Sequence, residues 1–185
     1  MNARHSSDYS IRPAVIGDIP ALTALIRESA HGLSLGDYTP EQIDTALTGV
    51  FGVDSQLIED RTYFIIEKGG EPVACGGWSF RATLFGNDNI AGRDPRRLNP
   101  TIDAAKIRAF FVHPDHARRG LGKRILAHCE EAARAAGFRK LELGATLPGR
   151  RLYEVCGYVA GTPHDHIMED GLPLRVVPMS KTLSE

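Results

Sequence analysis

The densest concentration of chemistry-bearing residues in this 185-residue chain lies between positions 118 and 124. Arg118, Arg119, Lys123 and Arg124 crowd two glycines, Gly120 and Gly122. From Leu121 onward, Ile125, Leu126, Cys129, Ala132, Ala133 and Ala136 recur at helical spacing. The cations therefore sit at a helix start, where the macrodipole and the unpaired N–H groups favour negative charge. An anion among them removes the conflict, and the glycines let the backbone approach it closely. A solvated basic helix end after a glycine turn is the alternative reading of the same residues. Two familiar phosphate signatures are missing. Gly120 lacks the earlier glycine of G-x-x-x-x-G-K-[ST], and Lys123, Arg124 and Ile125 follow Gly122 where G-x-G-x-x-G requires another glycine.

The elements around this turn follow from periodicity and punctuation. Phe110, Phe111 and Val112 end an apolar strand that starts near Ala104, and Pro114 stops it. Gly137 before Phe138 reads as a glycine C-cap with its hydrophobic contact, and Gly157 before Tyr158 repeats the pattern. Upstream, a strand over residues 9–13 precedes a helix that Asp18 caps and Pro20 opens. Residues 31–40 read as a loop, and Thr39 with Gln42 forms a capping box for a second helix running to about Val50. Residues 62–67 and 72–80 form a hairpin, in which Gly76-Gly77 signals a bulge or a close backbone approach. Residues 81–103 have no period. A loop of that length in a compact domain is more often functional or mobile than a plain connector. A strand over 140–144 precedes a helix with Pro148 in its first turn, then strand 158–160, a polar loop over 162–171 and a closing strand over 172–183. The expectation is an α/β fold with a mixed, mostly antiparallel central sheet and helices on both faces. Residues 1–8 form a disordered leader, and 9–185 a single domain.

The turn closely resembles the acetyl-CoA-binding motif of the GNAT N-acetyltransferase superfamily, V-x-P-x-x-[QR]-x-x-G-x-[GA]. Val112, Pro114, Gly120 and Gly122 match in register, while Ala117 replaces the Gln/Arg. The element order matches this acyltransferase fold too, apart from the leader and the 81–103 loop. The resemblance implies that acetyl-CoA rests its pyrophosphate on amides of Arg118, Arg119, Gly120, Leu121, Gly122 and Lys123. The pantetheine arm would pair with Phe110, Phe111 and Val112, and strand amides near Phe111 would polarise the thioester carbonyl. Residues 146–158 resemble the second GNAT signature, which makes Tyr153 the general acid that protonates the departing thiolate. Thr146 stands where many members hold the pantetheine arm with Asn.

The general base is less defined. Lys106 occupies a position that is Glu in several members, and a charged lysine cannot serve. Asp103, acting through a water, is the candidate, and His113, His164 and His166 are weighed behind it. The H-x-H pair without a third ligand is no metal site. For the acceptor pocket, Trp78 and Phe80 at a strand end are candidates, with Asp37 and Tyr38 by analogy with the family. Glu169 and Asp170 could attract a cationic amine.

Composition narrows the field. Hydrophobic residues at 42% and charged residues at 24% are ordinary for a soluble globular chain. A formal net charge of −1 gives no global field for nucleic acid or an anionic membrane. Cys75, Cys129 and Cys156 are an odd set without a C-x-x-C pair, which argues against a disulfide framework or structural zinc. With no apolar N-terminal run, a cytoplasmic location is expected. The function expected is an acetyl-CoA-dependent N-acetyltransferase acting on a primary amine, with a homodimer open through the long loop. A non-catalytic acyl-CoA-binding sensor or interaction module is the alternative.

Overall fold

A computed structural model describes residues 8–184, so the expected leader lies almost wholly outside the described residues. The strands are β1 (Tyr9–Pro13), β2 (Tyr63–Lys68), β3 (Glu71–Ser79), β4 (Ala105–Val112), β5 (Lys140–Thr146), β6 (Val159–Ala160), β7 (His164–Ile167) and β8 (Pro173–Thr182). The helices are α1 (Ile19–Ser34), α2 (Pro40–Gly49), α3 (Ser55–Glu59), α4 (Leu121–Ala135) and α5 (Arg150–Val155). The strands join one sheet in the order β1-β2-β3-β4-β5-β8-β6, and β7 pairs with β8 beside β6. Among the described strands only the β4–β5 contact is parallel.

Side-chain alternation along the strands builds a core on each face. Phe64 and Ile66 of β2 join Leu121, Ile125, Leu126, Cys129 and Ala133 of α4 on one face. Tyr63 and Ile65 join Leu22, Leu25 and Ile26 of α1 and Ile43 of α2 on the other. Cys129 is thus a core residue on the stripe its spacing indicated.

The helix ends are fixed locally. Thr39 accepts from the Gln42 amide at 3.2 Å while the Gln42 side chain accepts from the Thr39 amide at 2.9 Å, completing the capping box. Gly137, at φ 95°, donates to Arg134, and Phe138 donates to Ala133, which is the double bond of a Schellman end. Gly157 and Tyr158 repeat this on Glu154 and Tyr153, so the α5 backbone at Tyr153 is tied to the strand that follows.

Several local expectations are corrected. Asp18 does not cap α1 with its side chain; its carboxylate accepts from the Val15 amide and pairs with Arg12 at 2.8 Å. α1 continues through Ser34, so its loop begins at Leu35 rather than His31. α3 went unread because five residues are too short for a periodic signal. Pro148 precedes α5, whose N-cap is Gly149. The segment 162–171 contains β7, whose polar sequence His-Asp-His-Ile pairs along β8.

Candidate active site

β4 and β5 are in register only at Ala105–Leu141 and Lys106–Glu142. The Lys106 ammonium pairs with the Glu142 carboxylate there and ties the two strands together at their joined end. Beyond that point they diverge, leaving one edge of β4 without a strand partner. A bulge begins the opening: Cys75 pairs with Phe111 and Gly77 with Arg108, so Ala109 and Phe110 together face Gly76. Ala109 takes φ 55°, a left-handed conformation uncommon for alanine. The glycine pair reflects both readings of it. A Cβ on Gly76 would lie 2.7 Å from the Phe110 ring, and one on Gly77 would lie 2.6 Å from the Thr62 carbonyl.

A cavity of about 590 Å³ fills the opening. At one end lie Ala117, Arg118, Gly120, Leu121, Gly122 and Lys123. The backbone there is wound by Arg118 at φ 60° and Gly120 at φ 79°. The first bond of α4 runs from Arg124 to Gly120 at 3.0 Å, and Gly120 supplies no side-chain cap. None of the amides of residues 118–123 donates to another group among the described residues. These unpaired N–H groups, with Arg118, Lys123 and Arg151 beside them, suit a phosphate-bearing ligand. The Arg119 side chain leans away, onto the Asp115 carbonyl.

Alternation decides which β4 amides face the open edge. Val112 donates to the Ser29 hydroxyl at 3.2 Å, and His113 donates back to Val73 of β3 at 2.9 Å. Phe110 and Val112 therefore share the open side. Phe111 is the register partner of Cys75, so its amide faces β3 and not the open edge. The Phe111 ring lines the cavity and meets Phe51 edge to face at 5.9 Å.

Tyr153 lines the cavity, its ring edge to face with Phe110 at 6.1 Å. Its hydroxyl has no hydrogen-bond partner among the described residues. Burial pushes its pKa well above the ordinary phenol value, with the Cys129 and Cys156 thiols adding to the shift. The group holds its proton through the neutral range. Thr146 also lines the cavity, but its Oγ1 accepts from the Gly149 amide at 3.3 Å and turns β5 into α5.

Other expected residues are not brought to the cavity. The Asp103 carboxylate accepts from the Asn99 amide at 2.7 Å, before the joined end of β4, and does not line the opening. Trp78 is 5% exposed and packs against Phe138 and Phe80, and the guanidinium groups of Arg81 and Arg97 cover the Phe80 ring. Tyr38 spans two elements, donating to the Arg175 carbonyl at 2.7 Å and accepting from the Leu147 amide at 2.9 Å. Asp37 is exposed beside it. Asp170 is held by Thr45 at 2.6 Å, and His113 pairs with Glu28 at 2.7 Å.

Residues that sequence reasoning missed occupy the other end. Leu84, Phe85 and Gly86 of the 81–103 segment line the cavity with Leu33, Val50 and Phe51. This segment is anchored throughout: Ala82 donates to Arg96 and Leu98 to Phe80, Arg81 pairs with Asp60 at 2.6 Å, and the Asn87 side chain donates to Phe51 at 3.0 Å. Arg93 and Arg108 both pair with the fully buried Asp54. His164 and His166 of β7 complete that end. Ser29 left a trace in the sequence, as a polar residue on the buried stripe of α1. Leu84–Gly86 left none, because nothing local says where a loop tip lands.

A sheet splayed at a bulge, with a turn of unpartnered amides at the following helix, defines an acyltransferase fold. The model of the Acetyltransferase (GNAT) family matches residues 29–158, and the chain belongs to that family. A GCN5-related N-acetyltransferase from Rhodopseudomonas palustris superposes with a TM-score of 0.71 at 22% identity, over 98% of this chain and 100% of that one. The PaiA N-acetyltransferase of Thermoplasma acidophilum, solved with coenzyme A, gives 0.63 at 12% identity, over 94% and 98%. YncA of Salmonella typhimurium, solved with acetyl-CoA, gives 0.62 at 19% identity, over 97% and 96%. No curated protein matches the sequence. No helix among the described residues is long and apolar enough to cross a membrane.

Proposed function

We propose that this protein transfers an acetyl group from acetyl-CoA to a primary amine of a small molecule, by direct attack within a ternary complex. One observation carries the reading: the unpartnered amides of residues 118–123, the open edge of β4 and the free hydroxyl of Tyr153 border one cavity. The amides of the α4 turn, with Arg118 and Lys123, hold the donor's pyrophosphate. Phe110 and Val112 present amides to the pantetheine arm, and Ser29 caps the Val112 amide until the donor arrives. An amide on this edge polarises the thioester carbonyl as charge develops on its oxygen. Tyr153 then delivers its proton to the leaving sulfur. A sensor that only bound acyl-CoA would have no use for a free phenol at this point of the cavity, which favours the enzyme.

The test has two parts. Acetyl-CoA at 100-fold excess over its Kd stabilises a protein that binds it only when folded by about 2.7 kcal/mol, read as a rise in Tm. Thiol release across a panel of amines then reports transfer. No rise in Tm counts against donor binding. A rise without acceptor-dependent thiol release would instead favour the non-catalytic reading.

A further inference from the structure

The cavity end away from the α4 turn has a definite chemistry. Leu33, Val50, Phe51, Leu84, Phe85 and Val176 make it apolar, and among the described residues no Asp or Glu lines any part of the cavity. The cation nearest this end, Arg108, is committed to Asp54 at 2.8 Å and to the Gly86 carbonyl at 2.8 Å. Nothing here holds an acceptor's carboxylate, and nothing holds a second ammonium. The polar side chains left are the Ser34 hydroxyl and the imidazoles of His164 and His166, which alternation puts on the same face of β7. His166 is part-buried and meets the Phe85 ring edge to face at 4.8 Å, so the long loop fixes its position. Its nitrogens have no hydrogen-bond or ion-pair partner among the described residues.

We propose that His166 takes the proton from the acceptor ammonium, and that the acceptor is an amine carried on an uncharged, apolar body. The inference rests on the acetyl transfer proposed above. An ammonium has no lone pair, so it must lose a proton before it attacks. One N–H proton passes to the neutral imidazole of His166, and the freed lone pair forms the N–C bond. The C–S bond breaks with its electron pair on sulfur, which takes the Tyr153 proton. The nitrogen's second proton restores the Tyr153 phenol through solvent, and His166 releases its own proton to bulk. Each turnover yields the amide, free thiol and one proton.

The charged surroundings of His166 permit this. His164 on the same strand lowers its pKa, after burial as the larger cause. Leu174 of β8 is its register partner, and the Asp165–Arg175 pair lies on the opposite face. From the long loop, Phe85 is the group against it, and Arg93 is tied to Asp54 and Asp88. The imidazole is therefore neutral and able to accept at neutral pH.

The experiment measures thiol release by the full chain with benzylamine and 2-phenylethylamine, against spermidine, lysine and glutamate, from pH 6.5 to 10. His166→Asn is compared with the unaltered protein on the best acceptor. A general base contributes roughly 10²–10⁴-fold, so kcat/KM is expected to fall at least 100-fold at pH 7. The deficit should shrink as pH nears the amine's own pKa, where free amine no longer needs a base. The rise in Tm with acetyl-CoA should persist. His166→Gln replaces the Asn variant if that one does not fold. A loss equal at every pH would assign His166 to packing and overturn the proposal, as would no loss, or the same pH-dependent loss in His164→Asn alone. Spermidine, lysine or glutamate as the fastest acceptor would overturn the apolar class. Absence of any acetyl-CoA effect on Tm would instead remove the transferase reading beneath it.

Discussion

The hydroxyl of Tyr63 on β2 donates to the carbonyl of Ala109 on β4 at 2.8 Å, reaching across the whole width of β3. It can do so because its register partner is Gly77, where a Cβ would stand 2.7 Å from the Tyr63 ring. The bond holds the one bulge residue whose left-handed conformation costs about 1–3 kcal/mol. Tyr63→Phe should leave the part-buried Ala109 carbonyl without this partner, and lower stability by about 1 kcal/mol. Urea unfolding measures this. A change within error would mean that the bulge holds its shape without Tyr63.

Gly120 is left-handed at φ 79°, with open space where a side chain would go. Gly120→Val meets no neighbour, so its cost is conformational, about 1–2 kcal/mol. The added side chain borders the proposed pyrophosphate site. The rise in Tm with acetyl-CoA should therefore vanish although the protein folds. A full rise in the variant would place the pyrophosphate elsewhere.

Tyr153→Phe removes a hydroxyl without a hydrogen-bond partner among the described residues, so folding and acetyl-CoA affinity should change little. Turnover should drop roughly 10²–10⁴-fold, because the interaction forms as charge develops on sulfur. An acyl thioester with a leaving thiol of lower pKa should recover part of the loss. The pH dependence has a definite sign. Because the folded pKa of Tyr153 is raised, folding favours the neutral phenol, and that contribution is complete below the unfolded value near 10. It is lost as pH rises from there toward the folded value. No loss of the acid should thus appear in the rate profile below about pH 10. A catalytic limb near pH 8 that Tyr153→Phe abolishes would contradict this.

Asn87 pins the loop tip, donating to the Phe51 carbonyl and, through its backbone, to Gly49. Asn87→Ala should loosen Leu84–Gly86 and raise the acceptor KM severalfold while acetyl-CoA affinity stays unchanged. Comparing the two constants in one preparation decides it. A matching loss of donor affinity would show that the loop shapes the whole cavity.

Much of this protein could be read from its residues in order. The α4 stripe, the Thr39–Gln42 box and the Gly137 and Gly157 helix ends are set by periods and short-range hydrogen bonds, so sequence spacing reveals them. The glycines at 76–77 and 120–122 announced an irregular strand and a tight turn into α4 for the same reason. The divergence of β4 from β5 was beyond such reading, because it depends on register across three strands and on one phenol reaching Ala109. The end of the cavity lined by the long loop was equally hidden. Phe85, His166 and Leu33 lie far apart in the chain and meet only after the 81–103 segment docks through Arg81, Asn87 and Arg93. Trp78 and Tyr38 show the converse. An aromatic residue at a strand end or in a loop can as well fill a core or join two backbones, and only the packing around it decides which.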